Sequence, residues 1–119
     1  MSRRKTIVEK YIEGFRRTNH AQILSCLTDD VVWVLHGYKT LYGKQAFDAE
    51  IENDAFEGSP KINLECLIEE GNRVAVTGDG SVAKKDGEVM KFAFSEVFTF
   101  ADDLISRLET YHVWIKQPS

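Results

Sequence analysis

The sequence predicts an α+β fold in which three early helices pack on one face of a curved, mostly antiparallel sheet. Apolar residues recur at helical spacing in the first half of the chain, whereas apolar and polar residues alternate from Lys61 onward. Helices layered on a sheet bury both kinds of apolar face, and a sheet that curls around its helices leaves a cavity between the layers. The predicted order of elements is α-α-β-α-β-β-β-β.

Length and composition predict a single domain, residues 1–119, of ordinary globular type. The chain is 43% hydrophobic and 29% charged, which suits one core. A formal net charge of −4 gives no electrostatic basis for binding nucleic acid, and no apolar run approaches the ~20 residues that span a membrane. No signal-peptide core follows the basic start, so we expect a cytoplasmic protein. Cys26 and Cys66 lack disulfide or metal spacing, and we expect neither a metal nor another cofactor.

Capping residues and apolar spacing define the first two helices. Residues 3–18 predict an amphipathic helix whose apolar stripe includes Tyr11, so the Tyr11 hydroxyl points inward and needs a partner. Asn19 caps a short second helix, Gln22 completes its capping box, and residues 28–30 end it.

One strand and a third helix follow. Residues 31–35 are β-branched or aromatic and predict a strand, with Trp33 lining the cavity, before a loop at residues 36–39. The third helix runs from residue 43 to about residue 54, with Phe47 and Ile51 inward. Asp54 shares that side, so it either rims the cavity or belongs to a solvated face.

The second half predicts an antiparallel meander of four strands, at residues 61–69, 73–84, 90–100 and 104–115. Asp86 and Gly87 are a strong signal for a two-residue hairpin turn. From Met90 to Phe100, every second residue is large and apolar except Glu96. Glu96 therefore points at an aromatic surface, where its carboxyl group is protonated, hydrogen-bonded, paired or reached by water.

Hairpin registers predict which side chains share the face of Glu96. The two-residue turn places Asp79 on that face with Thr77 and Ser81, and it turns three valines outward toward a dimer interface: Val74, Val76 and Val82. A three-residue turn at 101–103 brings four residues of the last strand inward: Leu108, Thr110, His112 and Trp114. A two-residue turn there brings in the alternate set instead: Arg107, Glu109 and Tyr111.

Three segments carry a family resemblance that covers nearly the whole chain: IVEKYIEGFRRTNHAQILSCLTDDVVW, LYGKQAF and SEVFTFADDLISRLETYHV. With this spacing of helices, strands and turns, the chain resembles the SnoaL-like and ketosteroid-isomerase-like group of the nuclear-transport-factor-2-like superfamily. The resemblance implies a conical α+β barrel with a deep apolar pocket, and a homodimer formed through the outer sheet face.

The resemblance also implies roles for single residues. Ketosteroid isomerases hold a substrate oxygen with a helix tyrosine and a protonated acid, and these positions fall on Tyr11 and Glu96. Their aspartate base falls on Leu35, beside His36, which acts as a base if the strand end bends. SnoaL-like cyclases use an acid/base group whose nearest candidate is His112. The water-activating set of limonene-epoxide-hydrolase-like members falls on residues that lack its chemistry: Gly78, Gly80 and Thr110.

We therefore expect the chain to bind an apolar, carbonyl-containing small molecule and to isomerise, cyclise or dehydrate it. Glu96 and Tyr11 polarise the oxygen, and His112, His36 or Asp79 moves the proton. The expected lining residues share the inward faces of their elements: Trp33, Leu35, Phe94, Phe98, Thr110, Trp114, Phe47 and Ile51. The alternative is a non-catalytic ligand-binding or dimeric scaffold protein in which Glu96 is structural.

Overall fold

The computed structural model describes residues 2–116 and has the predicted α+β architecture, with helices on one face of a curved sheet. The helices are α1 (Arg3–Arg16), α2 (His20–Leu24) and α3 (Lys44–Glu50). The strands are β1 (Leu27–Leu35), β2 (Lys39–Tyr42), β3 (Phe56–Glu70), β4 (Arg73–Lys84), β5 (Val89–Ala101) and β6 (Leu104–Ile115). They form a six-stranded sheet in the order β2-β1-β6-β5-β4-β3, in which only the β1–β6 pair is parallel within the described residues.

The core lies between the helices and one face of the sheet, which we call the inner face. Tyr11 and Ile12 of α1, Phe47 of α3 and Phe98 of β5 are almost completely buried in it. Removing this apolar surface from water stabilises the fold, at roughly 25 cal/mol for each Å² buried. The opposite, outer face of the sheet carries no helix among the described elements.

The first two helices begin as predicted but end earlier. The Asn19 side chain accepts a hydrogen bond from the backbone N–H of Gln22 and caps α2. The Gln22 side chain donates to the Lys10 carbonyl oxygen instead of completing a capping box. Residues 28–30 do not end the helix, which stops at Leu24. They belong to β1, in which Leu27 and Val31 on either side of them are both buried.

The structure contains one strand more than the sequence predicted. Residues 39–42 form β2, which pairs with the end of β1, so the predicted loop shrinks to residues 36–38. This strand is short and largely exposed, and its sequence has no run of buried apolar residues that would reveal it. Helix α3 ends at Glu50, about four residues earlier than predicted, and β3 begins at Phe56, before the predicted start at Lys61.

The predicted β4–β5 hairpin register is wrong by one residue. Lys84 pairs with Glu88, so the turn contains Lys85, Asp86 and Gly87, with Gly87 at φ 91°. As a result Val74 and Val76 are 0% exposed on the inner face, and Asp79 lies on the outer face. Burying two valines is worth about 1.5–3 kcal/mol each. This gain outweighs the preference of Asp-Gly for a two-residue turn.

The β5–β6 hairpin differs from the prediction in two features, and their effects on the register cancel. The turn contains only Asp102 and Asp103, but a register shift follows between Thr99 and Phe100. Beyond that shift Thr110 pairs with Glu96, so the predicted inward set of β6 is confirmed: Leu108, Thr110, His112 and Trp114. The alternate set, Arg107, Glu109 and Tyr111, therefore faces outward.

Two glycines let the aromatic residues of β5 lie close to the sheet. A Cβ atom at Gly78 would collide with the Asn63 carbonyl oxygen and would lie 2.9 Å from Cζ of Phe94. A Cβ atom at Gly80 would collide with the Lys61 carbonyl oxygen and would lie 2.7 Å from Cζ of Phe92. The two phenylalanine rings therefore rest on bare backbone of β4.

Candidate functional site

A cavity of about 150 Å³ lies between α1 and the inner face of the sheet. Helix α1 contributes Tyr11, Ile12 and Phe15, and β5 contributes Phe92, Phe94 and Glu96. The other elements supply the rest of the wall: Trp33, Pro60, Ile62, Thr110 and His112. An apolar cavity of about this size accommodates a benzene-sized molecule.

Glu96 is the acidic group of this cavity. Glu96 is 8% exposed, and burial raises the pKa of its carboxyl group from 4.5 to about 7. The cause is desolvation, which disfavours the charged carboxylate, and a hydrogen bond from Thr110 opposes it in part. Glu96 therefore keeps its proton over much of the range below neutral pH.

A buried chain of hydrogen bonds orients this carboxyl group. The indole N–H of Trp33 donates to Thr110 Oγ1 over 2.9 Å, and the Thr110 hydroxyl donates to Glu96 Oε2 over 2.7 Å. An indole nitrogen is only a donor, so Thr110 accepts from Trp33 and directs its own proton toward Glu96. The hydrogen bond to Oε2 thus fixes the orientation of the carboxyl group in the wall of the cavity.

Tyr11 supplies a second polar group in the same cavity. Its hydroxyl is buried and has no hydrogen-bond partner within residues 2–116. Burial raises its pKa well above the ordinary value, and the negative charge of Glu96 adds to this shift. The hydroxyl is therefore neutral and able to donate. Its ring is held by Phe15, at 5.1 Å between ring centroids, and by Phe98, at 5.3 Å.

His112 lies at the rim of the cavity. Its ring stacks on Phe92, with the centroids 4.7 Å apart, and meets Trp114 edge to face at 4.5 Å. Partial burial lowers the pKa of His112, so the imidazole is mostly neutral at pH 7 and one ring nitrogen can accept a proton. His112 follows Thr110 on the same face, which makes it the diagonal cross-strand neighbour of Glu96.

Two candidate proton carriers lie away from the cavity. His36 stacks on Tyr111, with the ring centroids 4.2 Å apart, and lies 3.4 Å from Glu109 on the outer side of the sheet. Asp79 accepts a hydrogen bond from the Asn63 side chain over 3.0 Å, because the register of β4 turns it outward. The cavity thus brings together Tyr11, Glu96 and His112, and it does not include His36 or Asp79.

Some of the residues expected to line the cavity do so, and others lie outside it. Trp33, Phe94 and Thr110 line the cavity, whereas three others pack beside it in the core: Leu35, Phe47 and Phe98. Ile51 lines a neighbouring chamber, and Trp114 lies beyond His112 at the exposed end of the inner face. Sequence reasoning missed five lining residues: Ile12, Phe15, Pro60, Ile62 and Phe92. Alternation in β3 and β5 carried a signal for Ile62 and Phe92, but the irregular strand that brings in Pro60 had none.

Residues 2–116 contain no cluster of three histidine, cysteine or acidic side chains arranged to hold a metal ion. Across those same residues, none of the helices has the length and apolar character needed to cross a membrane.

Comparison with known proteins identifies the family. Residues 8–108 match the SnoaL-like domain model, so the chain belongs to the SnoaL-like domain family. No curated protein matches the chain.

Solved structures agree on the fold. An NTF2-like protein of unknown function from Burkholderia pseudomallei superposes with a TM-score of 0.85 at 24% identity, covering 93% of this chain and 91% of its own. TerC, co-crystallised with polyporic acid, gives 0.82 at 24% identity over 92% of this chain and 91% of its own. An LEH-like epoxide hydrolase from M. tuberculosis gives 0.82 at 14% identity over 93% and 83%. Identities this low establish the shared fold alone.

The raised pKa of Glu96 predicts how stability depends on pH. A native carboxyl pKa of about 7 against 4.5 when solvated means that the native state binds the proton more tightly. This tighter proton binding stabilises the native state by about 3 kcal/mol. The stabilisation is fully present below about pH 4.5 and is lost as pH rises through about 7. Urea unfolding at pH 5 and pH 8 should show this loss in the wild type, and Glu96→Gln should lack it.

The difference in stability between the wild type and Glu96→Gln isolates the contribution of Glu96 from that of other titrating groups. His20 also has a raised pKa, caused by hydrogen bonds to Asp48 and Glu52, but it is present in both proteins and cancels in the difference. Parallel stability profiles for wild type and Glu96→Gln would mean that the Glu96 carboxyl group is solvated and has an ordinary pKa.

The orienting hydrogen bond gives a second prediction. Thr110→Val keeps the shape of the side chain but removes the donor that lowers the Glu96 pKa, so this pKa should rise further above its ordinary value. Thr110→Ser retains the hydroxyl and should leave the pKa near that of the wild type. A carbon-13 NMR titration of the glutamate carboxyl groups, with Glu96→Gln to assign the signal, measures the change. A pKa that falls or stays constant in Thr110→Val would contradict the arrangement.

Proposed function

We propose that this SnoaL-like domain binds an apolar, carbonyl-bearing small molecule in the cavity and moves a proton on the carbon next to that carbonyl. One observation carries the proposal: Glu96 is a buried acid with a pKa of about 7 inside an aromatic cavity that also holds the unpartnered hydroxyl of Tyr11. The co-crystallisation of the structural neighbour TerC with polyporic acid supports a ligand site within this fold.

The proposed chemistry uses two donors and one base. The substrate carbonyl oxygen accepts hydrogen bonds from the Tyr11 hydroxyl and from protonated Glu96. Neutral His112 removes a proton from the adjacent carbon, and the electron pair of the broken C–H bond forms a C=C bond as negative charge develops on the oxygen. Donors aimed at that oxygen stabilise the charge, which lowers the barrier. Return of the proton to another carbon completes an isomerisation.

The same enolate leads to the other two reactions. Departure of a hydroxyl group as water from the neighbouring carbon gives a dehydration, with protonated Glu96 or His112 supplying the proton. Attack of the carbon on a second carbonyl gives a ring closure. Residues at diagonal positions on neighbouring strands are typically roughly 7–8 Å apart. Glu96 and His112 occupy such positions, which leaves room for a C–C=O unit between their side chains.

Ligand binding without turnover is the second candidate function. Within the described chain Glu96 is the one carboxylate that lines the cavity, and Leu35, which falls on the family position of the aspartate base, packs in the core. In this alternative the carboxyl group only orients a ligand, and the domain acts as a sensor, carrier or scaffold.

Hydrogen exchange of acetophenone distinguishes the two candidates without knowledge of the natural substrate. In D₂O the methyl protons next to its carbonyl exchange for deuterium, and NMR follows the rate. We expect the wild type to accelerate this exchange and His112→Gln to lose about 10²–10⁴-fold of the acceleration. The rate should fall above about pH 7, where Glu96 loses its proton. Tyr111→Phe, on the outer face of the same strand, is the matched control and should leave the rate unchanged.

Binding of acetophenone is measured separately. In a Trp114→Phe background the remaining indole, Trp33, lines the cavity, so quenching of its fluorescence reports occupancy. Acetophenone should bind more tightly than ethylbenzene, its counterpart without the carbonyl oxygen. Binding with no acceleration of exchange would establish the non-catalytic candidate. No binding of acetophenone would overturn the proposed function.

The outer sheet face supports a second copy of the chain as a partner. Three neighbouring outward residues of β6 expose large apolar surface: Tyr111 (45%), Val113 (64%) and Ile115 (46%). We propose that this face forms a homodimer, because contiguous exposed apolar surface marks interaction sites. The outward valines on β4 that sequence analysis assigned to this role are buried or lie on the inner face.

A charge on this face should prevent association. Val113→Asp places a carboxylate in the proposed contact, and light scattering should show a shift from dimer to monomer. Ala21→Asp, an exposed position on the helix side, adds the same charge elsewhere and should remain dimeric. A wild type that is monomeric at all accessible concentrations would contradict the proposed dimer.

A further inference from the structure

A second chamber, here called the outer chamber, adjoins the cavity that holds Glu96. It has a volume of about 340 Å³, more than twice that of the inner cavity. The two share Phe15 and Pro60 as lining residues, so these side chains stand between them. The inner cavity alone fits a benzene-sized molecule, whereas the two together reach the range of about 300–1,000 Å³ that is typical of ligand pockets.

Two rings, those of Phe15 and Pro60, lie at the boundary between the chambers. The Phe15 ring packs against Tyr11 at 5.1 Å and against Trp33 at 6.3 Å, which fixes one side. Pro60 supplies the other side from the stretch of β3 where the register shifts between Glu57 and Lys61. A proline ring cannot move aside by rotating, so a ligand that spans both chambers has to pass beside a wall that does not adjust.

The outer chamber differs from the inner cavity in its chemistry. Neutral hydrogen-bonding side chains line it, among them Thr18 and Ser59, whose hydroxyls lie 2.6 Å apart, and Asn53. The single charged side chain of its described lining is Glu52, an acid that pairs with His20 at 2.6 Å. Apolar surface comes from Ile51 and from Val82. Such walls suit an uncharged polar group and disfavour a negatively charged one.

We infer that the natural ligand is bipartite: an apolar ring bearing the carbonyl occupies the inner cavity, and a linker that passes Phe15 and Pro60 leads to an uncharged, hydrogen-bonding tail in the outer chamber. The placement of the ring rests on the proposed function, and the tail is the new element. The tail contributes affinity and specificity, and it holds the ring in position against Glu96.

Three probes test the inference: acetophenone, acetophenone with a 5-hydroxypentyl chain opposite the carbonyl, and the same compound with a terminal carboxylate. Fluorescence of Trp33 in the Trp114→Phe background measures each dissociation constant. The hydroxyl-tailed probe should bind at least about tenfold more tightly than acetophenone, because its methylene groups are buried and its hydroxyl is hydrogen-bonded. The carboxylate-tailed probe should bind more weakly than the hydroxyl-tailed one.

Filling the outer chamber should remove only the gain from the tail. Ile51→Phe and Val82→Phe each add volume to a wall that the inner cavity does not share, so acetophenone should retain its affinity while the tailed probe loses its advantage. Two variants are used so that overpacking in either one does not decide the outcome. Val89→Phe adds the same ring at an exposed position that lines neither chamber, and it should change neither affinity.

The outcomes separate the inference from the proposed function. Acetophenone binding with no gain from the tail would overturn the bipartite ligand and leave the proposed function intact. An equal loss of both probes in the two filled variants would show that the outer chamber is an access route, which also overturns it. Failure of acetophenone to bind the wild type would overturn the proposed function, and the bipartite ligand with it.

Discussion

The hydrogen bond from Thr110 to Glu96 links the stability of this fold to the chemistry of its cavity. An ionised carboxylate costs several kcal/mol to bury, so the carboxyl group retains its proton and has a pKa of about 7. Thr110 joins β5 to β6, and Trp33 extends the chain of hydrogen bonds to β1. Side-chain hydrogen bonds therefore connect this buried acid to three strands of the sheet, in addition to the backbone pairing between them.

The same arrangement suits proton transfer. A group with a pKa near the working pH is the best compromise between being in the right protonation state and giving up its proton readily. Burial gives Glu96 this property by raising its pKa from 4.5 to about 7. Desolvation also lowers the pKa of His112 from its usual value of 6.5, so the pKa of the acid lies above that of the base, and Glu96 can be protonated while His112 is neutral.

Local sequence patterns predicted the inward direction of Glu96, because alternation is a property of one strand. The inward direction of Thr110 was also predicted, although its hairpin has a shorter turn and an added register shift that cancel. Asp79 was assigned to the wrong face because Lys85 belongs to the turn. One extra turn residue moves every side chain of the strand to the opposite face of the sheet. The pairing of Trp33 with Thr110 joins residues 77 positions apart across a parallel strand pair, and no local pattern encodes it.

The glycines of β4 have a consequence for the ligands that this domain accepts. Phe92 and Phe94 form one wall of the cavity, and behind them lie Gly78 and Gly80, which are not part of its lining. A methyl group at either glycine would collide with a backbone carbonyl oxygen of β3 as well as with the ring in front of it, so both the β3–β4 pairing and the ring would have to shift. The position of the aromatic wall, and with it the width of the cavity, thus depends on two glycines that lie outside the cavity.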